Sequence, residues 1–243
     1  MDLYHLILFI VLALIAEIIG TVGGFGSSML FVPMAGYFLD FHSVLGITAL
    51  FHVASNLSKI ALFRNGFNQH LLIYMGIPAV LFVSAGAWLS RYIDTYWLDI
   101  LLGVFLITLS LIFLVIRTMK VAPTTANAVT GGIISGLVAG LLGTGGAIRG
   151  MVLSAYTLKT EIFIATSAMI DLAIDVSRSF VYTANGFVHY HDLYLVPILV
   201  IVSFTGTYIG RAILKKMNEG QFKNAVLILT MTTGIITLSK HLF

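Results

Sequence analysis

Hydrophobic residues run through this chain in long blocks, and polar or turn-forming positions interrupt them at short intervals. Apolar stretches fall at about 3–19, 27–39, 43–63, 70–91, 97–117, 127–142, 147–158, 162–184, 192–211 and 221–241. Most approach the roughly 20 residues that a bilayer-spanning helix needs. The blocks beginning at Ser27 and Ala147 are too short for that, and each follows a glycine cluster: Gly20-Thr21-Val22-Gly23-Gly24-Phe25-Gly26 in one case, Gly143-Thr144-Gly145-Gly146 in the other. Glycine weakens a helix interior, and hydrocarbon tolerates broken backbone only where it is buried in protein or lines a cavity. The order long, short, long, long, long occurs twice, with one break in each half.

Composition then sets the class. Of 243 residues 59% are apolar and 9% charged, and the mean hydropathy is +1.03, which leaves too little polar surface for a soluble domain. The pattern predicts an all-α polytopic membrane protein. A net charge of +3 resides mostly in short connections between apolar runs, where it reads as a topology signal and not as a nucleic-acid footprint. The absence of cysteine removes disulfides, thiol catalysis and thiolate metal sites. The first apolar block lacks a basic flank and an A-x-A cleavage site, so it is expected to stay in the mature protein.

Residues 1–120 and 127–243 read as two copies of one five-element repeat, joined by a polar linker at 121–126. Gly23-Gly24 matches Gly145-Gly146, Asn65-Gly66-Phe67 matches Asn185-Gly186-Phe187, and Pro78 matches Pro197. The stretch from Gly86 to Arg91 likewise matches that from Gly206 to Arg211. Five crossings per copy is an odd number, which would turn the second copy upside down, a common transporter plan. Loop charge agrees: Arg64, Arg117, Lys120, Lys159, Arg211, Lys215, Lys216 and Lys223 gather on one side, which would be cytoplasmic and leave both termini outside. If the short pieces are re-entrant, the alternative is eight spanning helices in two parallel four-helix halves. The basic loop after Arg211, set against the weakly acidic one after Arg91, favours inversion.

Ionisable residues inside apolar segments are expensive and point to function. Thr48, His52, Asn56 and Lys59 share one helix face, and a shift of 119 positions lands on Ser167, Asp171, Asp175 and Arg178. Lys59 and Arg178 lie near enough to helix ends to snorkel, and Asp175 with Arg178 can neutralise each other at i, i+3. The glycine clusters offer a second feature. Gly23, Gly24 and Gly26 lead to Ser27 and Ser28, while Gly143, Thr144, Gly145 and Gly146 lead to Arg149. A helix N-terminus presents free amides and a positive dipole end, and a guanidinium adds planar paired donors, a combination suited to an oxyanion. Ser27 and Ser28 are expected at the positions that match Arg149. Glu17, Asp171 and Asp175 are candidate proton carriers, with His52 a further one.

Other residues read as structure. Trp88, Tyr92, Tyr96 and Trp97 suit an interfacial aromatic belt, and Met29, Met34, Met151 and Met169 suit packing. His189 and His191 flank Tyr190 in an expected external loop and, without further ligands nearby, do not read as a metal site. No metal or cofactor is expected, and no Gly-x-x-x-x-Gly-Lys-[Ser/Thr] sequence is present for ATP.

At the glycine motifs the chain resembles the sulfite exporter TauE/SafE family of membrane permeases. The stretches that carry the likeness are Gly20 to Gly26 leading to Phe31-Val32-Pro33, and Gly140-Leu141-Leu142-Gly143-Thr144-Gly145-Gly146. The resemblance implies transport of sulfite, organosulfonates or related small anions, usually outward. Two departures bear on substrate: Ala155 stands where Pro33 has its counterpart, and Arg149 interrupts the second glycine run. The expected function is a proton-coupled secondary transporter of a small anion, bound near the midplane at the repeat interface. Its expected location is the cell membrane of a prokaryote, with the anion and lipid as partners and no nucleic acid. An ion channel or cation transporter built on Glu17, Asp171 and Asp175 is the alternative. An intramembrane aspartyl enzyme fits less well, because Asp171 and Asp175 stand one turn apart on one helix.

Overall fold

In hydrocarbon each segment must satisfy its own backbone, and this chain does so by forming helix after helix. The computed structural model describes residues 1–23, 26–64, 66–115, 121–216 and 219–242, with backbone alone for 219–225 and 241–242. The order is α1 (Leu3–Gly23), α2 (Ser28–Ala35), α3 (Phe41–Leu62), α4 (Gln69–Ser90), α5 (Thr95–Val115), α6 (Thr125–Leu142), α7 (Gly146–Ser154), α8 (Thr160–Ala184), α9 (Leu195–Leu214) and α10 (Glu219–Leu242). No strand occurs among the described residues. Six of the helices, α1, α3, α4, α5, α6 and α9, are long and apolar enough to cross a membrane. Helix α8 has the length, at 25 residues, but carries Glu161, Asp171, Asp175 and Arg178. Large apolar side chains such as Leu81, Val115, Phe180, Ile201 and Tyr208 point outward, as lipid-facing positions do. The protein is an all-α polytopic membrane protein.

Several boundaries differ from the hydropathy reading, each for a local reason. Helix α1 continues to Gly23, so Gly20 and Gly23 are helical and the first break starts later than the cluster does. Gly20 is a close-packing residue: a Cβ there would strike the backbone of Gly26 and Ser27. Helix α6 starts at Thr125, inside the expected linker, because the Thr124 hydroxyl accepts from the Asn127 amide at 3.2 Å and caps it. Helices α2 and α7 are shorter than their apolar blocks, and Tyr190–Asp192 form a separate 3₁₀ turn before α9. Within α4 the backbone widens into a π turn at Leu72–Gly76, just ahead of Pro78, whose ring a regular turn would crowd. Gly24, Phe25, Asn65, Arg117 and Lys120 lie outside the described residues.

Small residues set how the helices meet. A Cβ on Gly132, Gly136 or Gly140 of α6 would collide with the carbonyl oxygens of Met75, Ala79 and Val83 of α4. The register rises together, so α4 and α6 run parallel at backbone contact. Gly206 and Gly210 of α9 pack in the same way on Glu17 and Thr21 of α1, again parallel. The other two large contacts run antiparallel. In α3 and α8, His52 meets Arg178 and Asn56 meets Asp175, and Gly46 meets Phe187 just past the end of α8. In α5 and α10, Gly103 meets Leu238 and Gly234 meets Ile107.

Gly136→Ala is therefore expected to cost roughly 1–3 kcal/mol through overpacking against Ala79. Ile134→Ala, on the half-exposed face of the same helix, should change stability by only about 0.5 kcal/mol. Thermal unfolding of the two variants in detergent checks the contrast.

Candidate functional site

Both short helices start where the chain has just broken. Gly143, with φ of 75°, ends α6 in the left-handed region and donates its amide to Ala139, while Gly26 takes φ of 82° ahead of α2. Left-handed backbone favours glycine at these two positions, which is why the breaks fall there. The two N-termini converge. Gly26, Ser27 and Ser28 from one break and Gly143, Gly145 and Gly146 from the other line a single cavity. His52, Asn56 and Lys59 of α3 and Asp171, Asp175 and Arg178 of α8 complete its wall, with Arg149 of α7. Its volume is about 20 Å³, room for a water and not for a polyatomic anion.

Three buried ion pairs organise the wall. Arg178 donates through Nε to Asp175 Oδ1 at 2.7 Å, and Asn56 donates to Asp175 Oδ2 at 2.7 Å. Lys59 Nζ lies 3.0 Å from Glu17 Oε1, and Arg149 Nη2 contacts Asp171 Oδ1. Glu17 is a hub: besides Lys59 it accepts from the hydroxyls of Thr21, Ser27, Ser55 and Thr207. Arg178 also donates to the carbonyls of Ala139 and Gly143 at 3.1 and 2.8 Å, so it ties α8 to the end of α6. Arg149 differs. It is 3% exposed, yet its Nε and Nη1 have no hydrogen-bond partner among the described residues.

His52 links two of the pairs. Its Nδ1 faces Arg178 Nη2 at 3.2 Å and its Nε2 faces Ser27 Oγ at 3.0 Å. Arginine can only donate, and the Ser27 hydroxyl already donates to Glu17 Oε2 at 2.7 Å. The tautomer these partners select therefore carries its proton on Nε2 and none on Nδ1. A continuous chain of hydrogen bonds runs from Arg178 through His52 and Ser27 to Glu17, which accepts at its end.

Most of the residues singled out by sequence meet here; Thr48 and Ser167 of the polar faces do not line the cavity, and four further candidates and one alignment also differ. Gly23 sits at the end of α1 and does not line the cavity, and Gly24 lies outside the described residues. Thr144 is buried beside the cavity without lining it, its hydroxyl unpartnered among the described residues. Glu17 stands behind the wall, reached through Ser27, Ser55 and Lys59. Counted from the first residue of each short helix, Arg149 corresponds to Phe31, while Ser27 and Ser28 correspond to Gly145 and Gly146. Lys59 and Arg178 do not snorkel: they are 6% and 2% exposed, because carboxylates on neighbouring turns and helices hold them inside. Sequence reading missed Ser55, Thr21 and Thr207. Ser55 lies three residues after His52 on the polar face, and Thr207 sits within the Gly206 motif, so both had a positional signal.

Two further hollows are present, and the first adjoins this cavity. One, also about 20 Å³, is lined by Gly20, Thr21, Ile164, Ser167 and Ala168 and shares Gly26, Lys59 and Asp171 with it. Lys59 and Asp171 thus form the partition between them. At the opposite end of α3 and α8 an open hollow of about 610 Å³ is lined by Asp40, His42, Arg91, Asn185, Phe187 and His189. His42 stacks on Phe187 at its edge, 3.9 Å between ring centroids.

The profile of the sulfite exporter TauE/SafE family matches residues 8–237 of the 243. The chain belongs to the TauE/SafE family. Comparison with curated proteins and with solved structures returned no match. TauE/SafE proteins are membrane transporters, and in this member residues from both glycine clusters line one cavity.

In this TauE/SafE protein Glu17→Ala strands a buried ammonium and is expected to destabilise by roughly 3–5 kcal/mol. Lys59→Ala in the Glu17→Ala background should recover part of that loss, since no unpaired charge remains. A double-mutant cycle on detergent-solubilised protein measures the coupling, and additive losses would contradict the pairing.

Proposed function

We propose that this protein is a proton-coupled secondary transporter of a small anion such as sulfite or an organosulfonate, bound in the cavity between the α2 and α7 N-termini. The observation that carries the reading is Arg149, a buried guanidinium at the cavity wall with two nitrogens unpartnered among the described residues. Each unmade buried hydrogen bond costs about 1–3 kcal/mol, and an oxyanion entering the cavity would satisfy both at once in a planar, two-point contact. The free amides and dipole ends of α2 and α7 add to the same positive field.

Charge balance supplies the coupling. Lys59, Arg149 and Arg178 face Glu17, Asp171 and Asp175, so a bound anion adds charge that something must offset. Asp171 is the carboxylate placed to do this. Among the described residues its oxygens meet only Arg149 and Ser167, it stands in the partition to the second hollow, and its side chain is 15% exposed. Glu17 has five donors and Asp175 is held by Arg178 and Asn56, which makes both costlier to release. A proton on Asp171 frees Arg149 for the anion, and an anion on Arg149 favours the proton, each by the same factor. Pairing of each of these three carboxylates with a cation argues against the cation-channel alternative.

The antiparallel run of α3 on α8 and of α5 on α10 supports two inverted repeats, 1–120 and 127–243, joined at 121–126. Parallel four-helix halves would have α3 and α8 run the same way. Rocking of one repeat on the other then opens the cavity to alternate sides. Arg211 lies over the Phe63 ring at 5.4 Å, so basic ends of both repeats come together; that end is read as cytoplasmic, in a prokaryotic cell membrane with both termini outside.

Reconstituted vesicles test the proposal. Arg149→Gln should lower sulfite flux about 100-fold, the loss of two charged hydrogen bonds of about 1.5 kcal/mol each. Asp171→Asn should retain flux and lose its pH dependence. Undiminished flux through Arg149→Gln would overturn the assignment.

A further inference from the structure

The loop between α8 and α9 holds chemistry that anion transport leaves unused. His189, His191 and Asp192 each bring one ligand atom to a spot where all three lie within 4.8 Å of one another. The 3₁₀ turn at Tyr190–Asp192 produces this arrangement, closed by the Asp192 amide donating to the His189 carbonyl at 3.0 Å. The two imidazoles stack at 5.3 Å between centroids. The Asp192 carboxylate lies against both, with Oδ1 3.4 Å from His191 Nε2 and Oδ2 3.9 Å from His189 Nδ1. Sequence alone had found the two histidines and no third ligand; the turn supplies it.

A second, independent observation concerns Asp192 itself. The residue is only 5% exposed, and its Oδ2 has no hydrogen-bond partner among the described residues. A buried carboxylate oxygen left without a donor is costly, and a cation seated over it removes that cost.

We propose that His189, His191 and Asp192 form a binding site for a transition-metal dication of the Zn²⁺ type. Two imidazoles and one carboxylate are a donor set that suits zinc, whereas calcium and magnesium take oxygen ligands throughout. Zinc bonds of roughly 2.0–2.2 Å put tetrahedral ligand atoms about 3.3 Å apart. The set closes to that spacing by rotation of both imidazoles, whose side chains are 41% and 79% exposed, while Asp192 stays in place. Ser43 Oγ lies 2.7 Å from His189 Nδ1, so a metal on that nitrogen takes the place of this hydrogen bond. Because His189 also lines the 610 Å³ hollow, the metal braces the loop at its rim.

Zn²⁺ titration by calorimetry tests this on the full-length protein, purified through a histidine-free tag and stripped with chelator. One saturable equivalent is expected, with Co²⁺ in its place giving the absorption of a tetrahedral site. His191→Ala should weaken Zn²⁺ by at least about 100-fold, since loss of even a supporting partner costs 10–100-fold. Asp192→Asn should weaken it too, and the unfolding midpoint of metal-free His191→Ala should match that of the unaltered protein. Absence of saturable binding, or equal affinity in His191→Ala, would overturn the site. Neither readout depends on transport, so this result and the fate of the anion site are separable.

Discussion

Charge buried in a bilayer has to be paired, and this protein is arranged around that constraint. Glu17 with Lys59, Asp175 with Arg178, and Asp171 with Arg149 put three carboxylates and three cations at the centre of a chain whose outside is apolar. Removing one partner from such a pair leaves a full charge in low dielectric, so the pairs constrain each helix that contributes to them. They also reach across the chain: Glu17 of α1 is held by Thr207 of α9, and Asn56 of α3 by Asp175 of α8. The polar network therefore specifies which helices are neighbours as well as what the centre can bind.

Close backbone approach makes the network possible. The Gly132, Gly136 and Gly140 stripe brings α6 onto α4, and Gly206 and Gly210 bring α9 onto α1, leaving no room for a side chain between them. Without a hydrophobic driving force between helices in lipid, packing of this kind carries much of the association. Held so, the ends of α1 and α6 deliver their glycine breaks to one spot, and α2 and α7 start there. The fold thereby turns a weakness of glycine, its poor helix propensity, into two amide-bearing corners facing a common cavity.

The three pairs are not equal. Glu17 and Asp175 are held from several directions, and the carbonyls of Ala139 and Gly143 further anchor Arg178. Arg149 and Asp171 have the fewest other partners among the described residues, and Asp171 stands at the boundary between two small cavities. The charged frame is thus held firmly at two pairs and more loosely at the third. His52, joined to Arg178 on one side and through Ser27 to Glu17 on the other, connects the halves of that frame.

By itself the sequence determined the class, the order of the elements, the two glycine breaks and the two polar helix faces. These follow from hydropathy and from a helical period of 3.6, which are local properties and legible along the chain. It also pointed to Arg149, because a guanidinium just after a glycine break in an apolar run is too costly to keep there without a polar task. Tertiary structure alone decided the partners. That Lys59 is held inside by Glu17, that Arg149 faces Asp171, that Thr207 and Ser55 complete the Glu17 hub, and that Asp192 turns toward His191 depend on how helices and turns are juxtaposed. Helix ends shifted for a related reason: the Thr124 cap and the continuation of α1 through Gly20 are settled by hydrogen bonds and neighbours that hydropathy does not register. Pairing is a contact between residues up to 190 positions apart, and no local pattern encodes it.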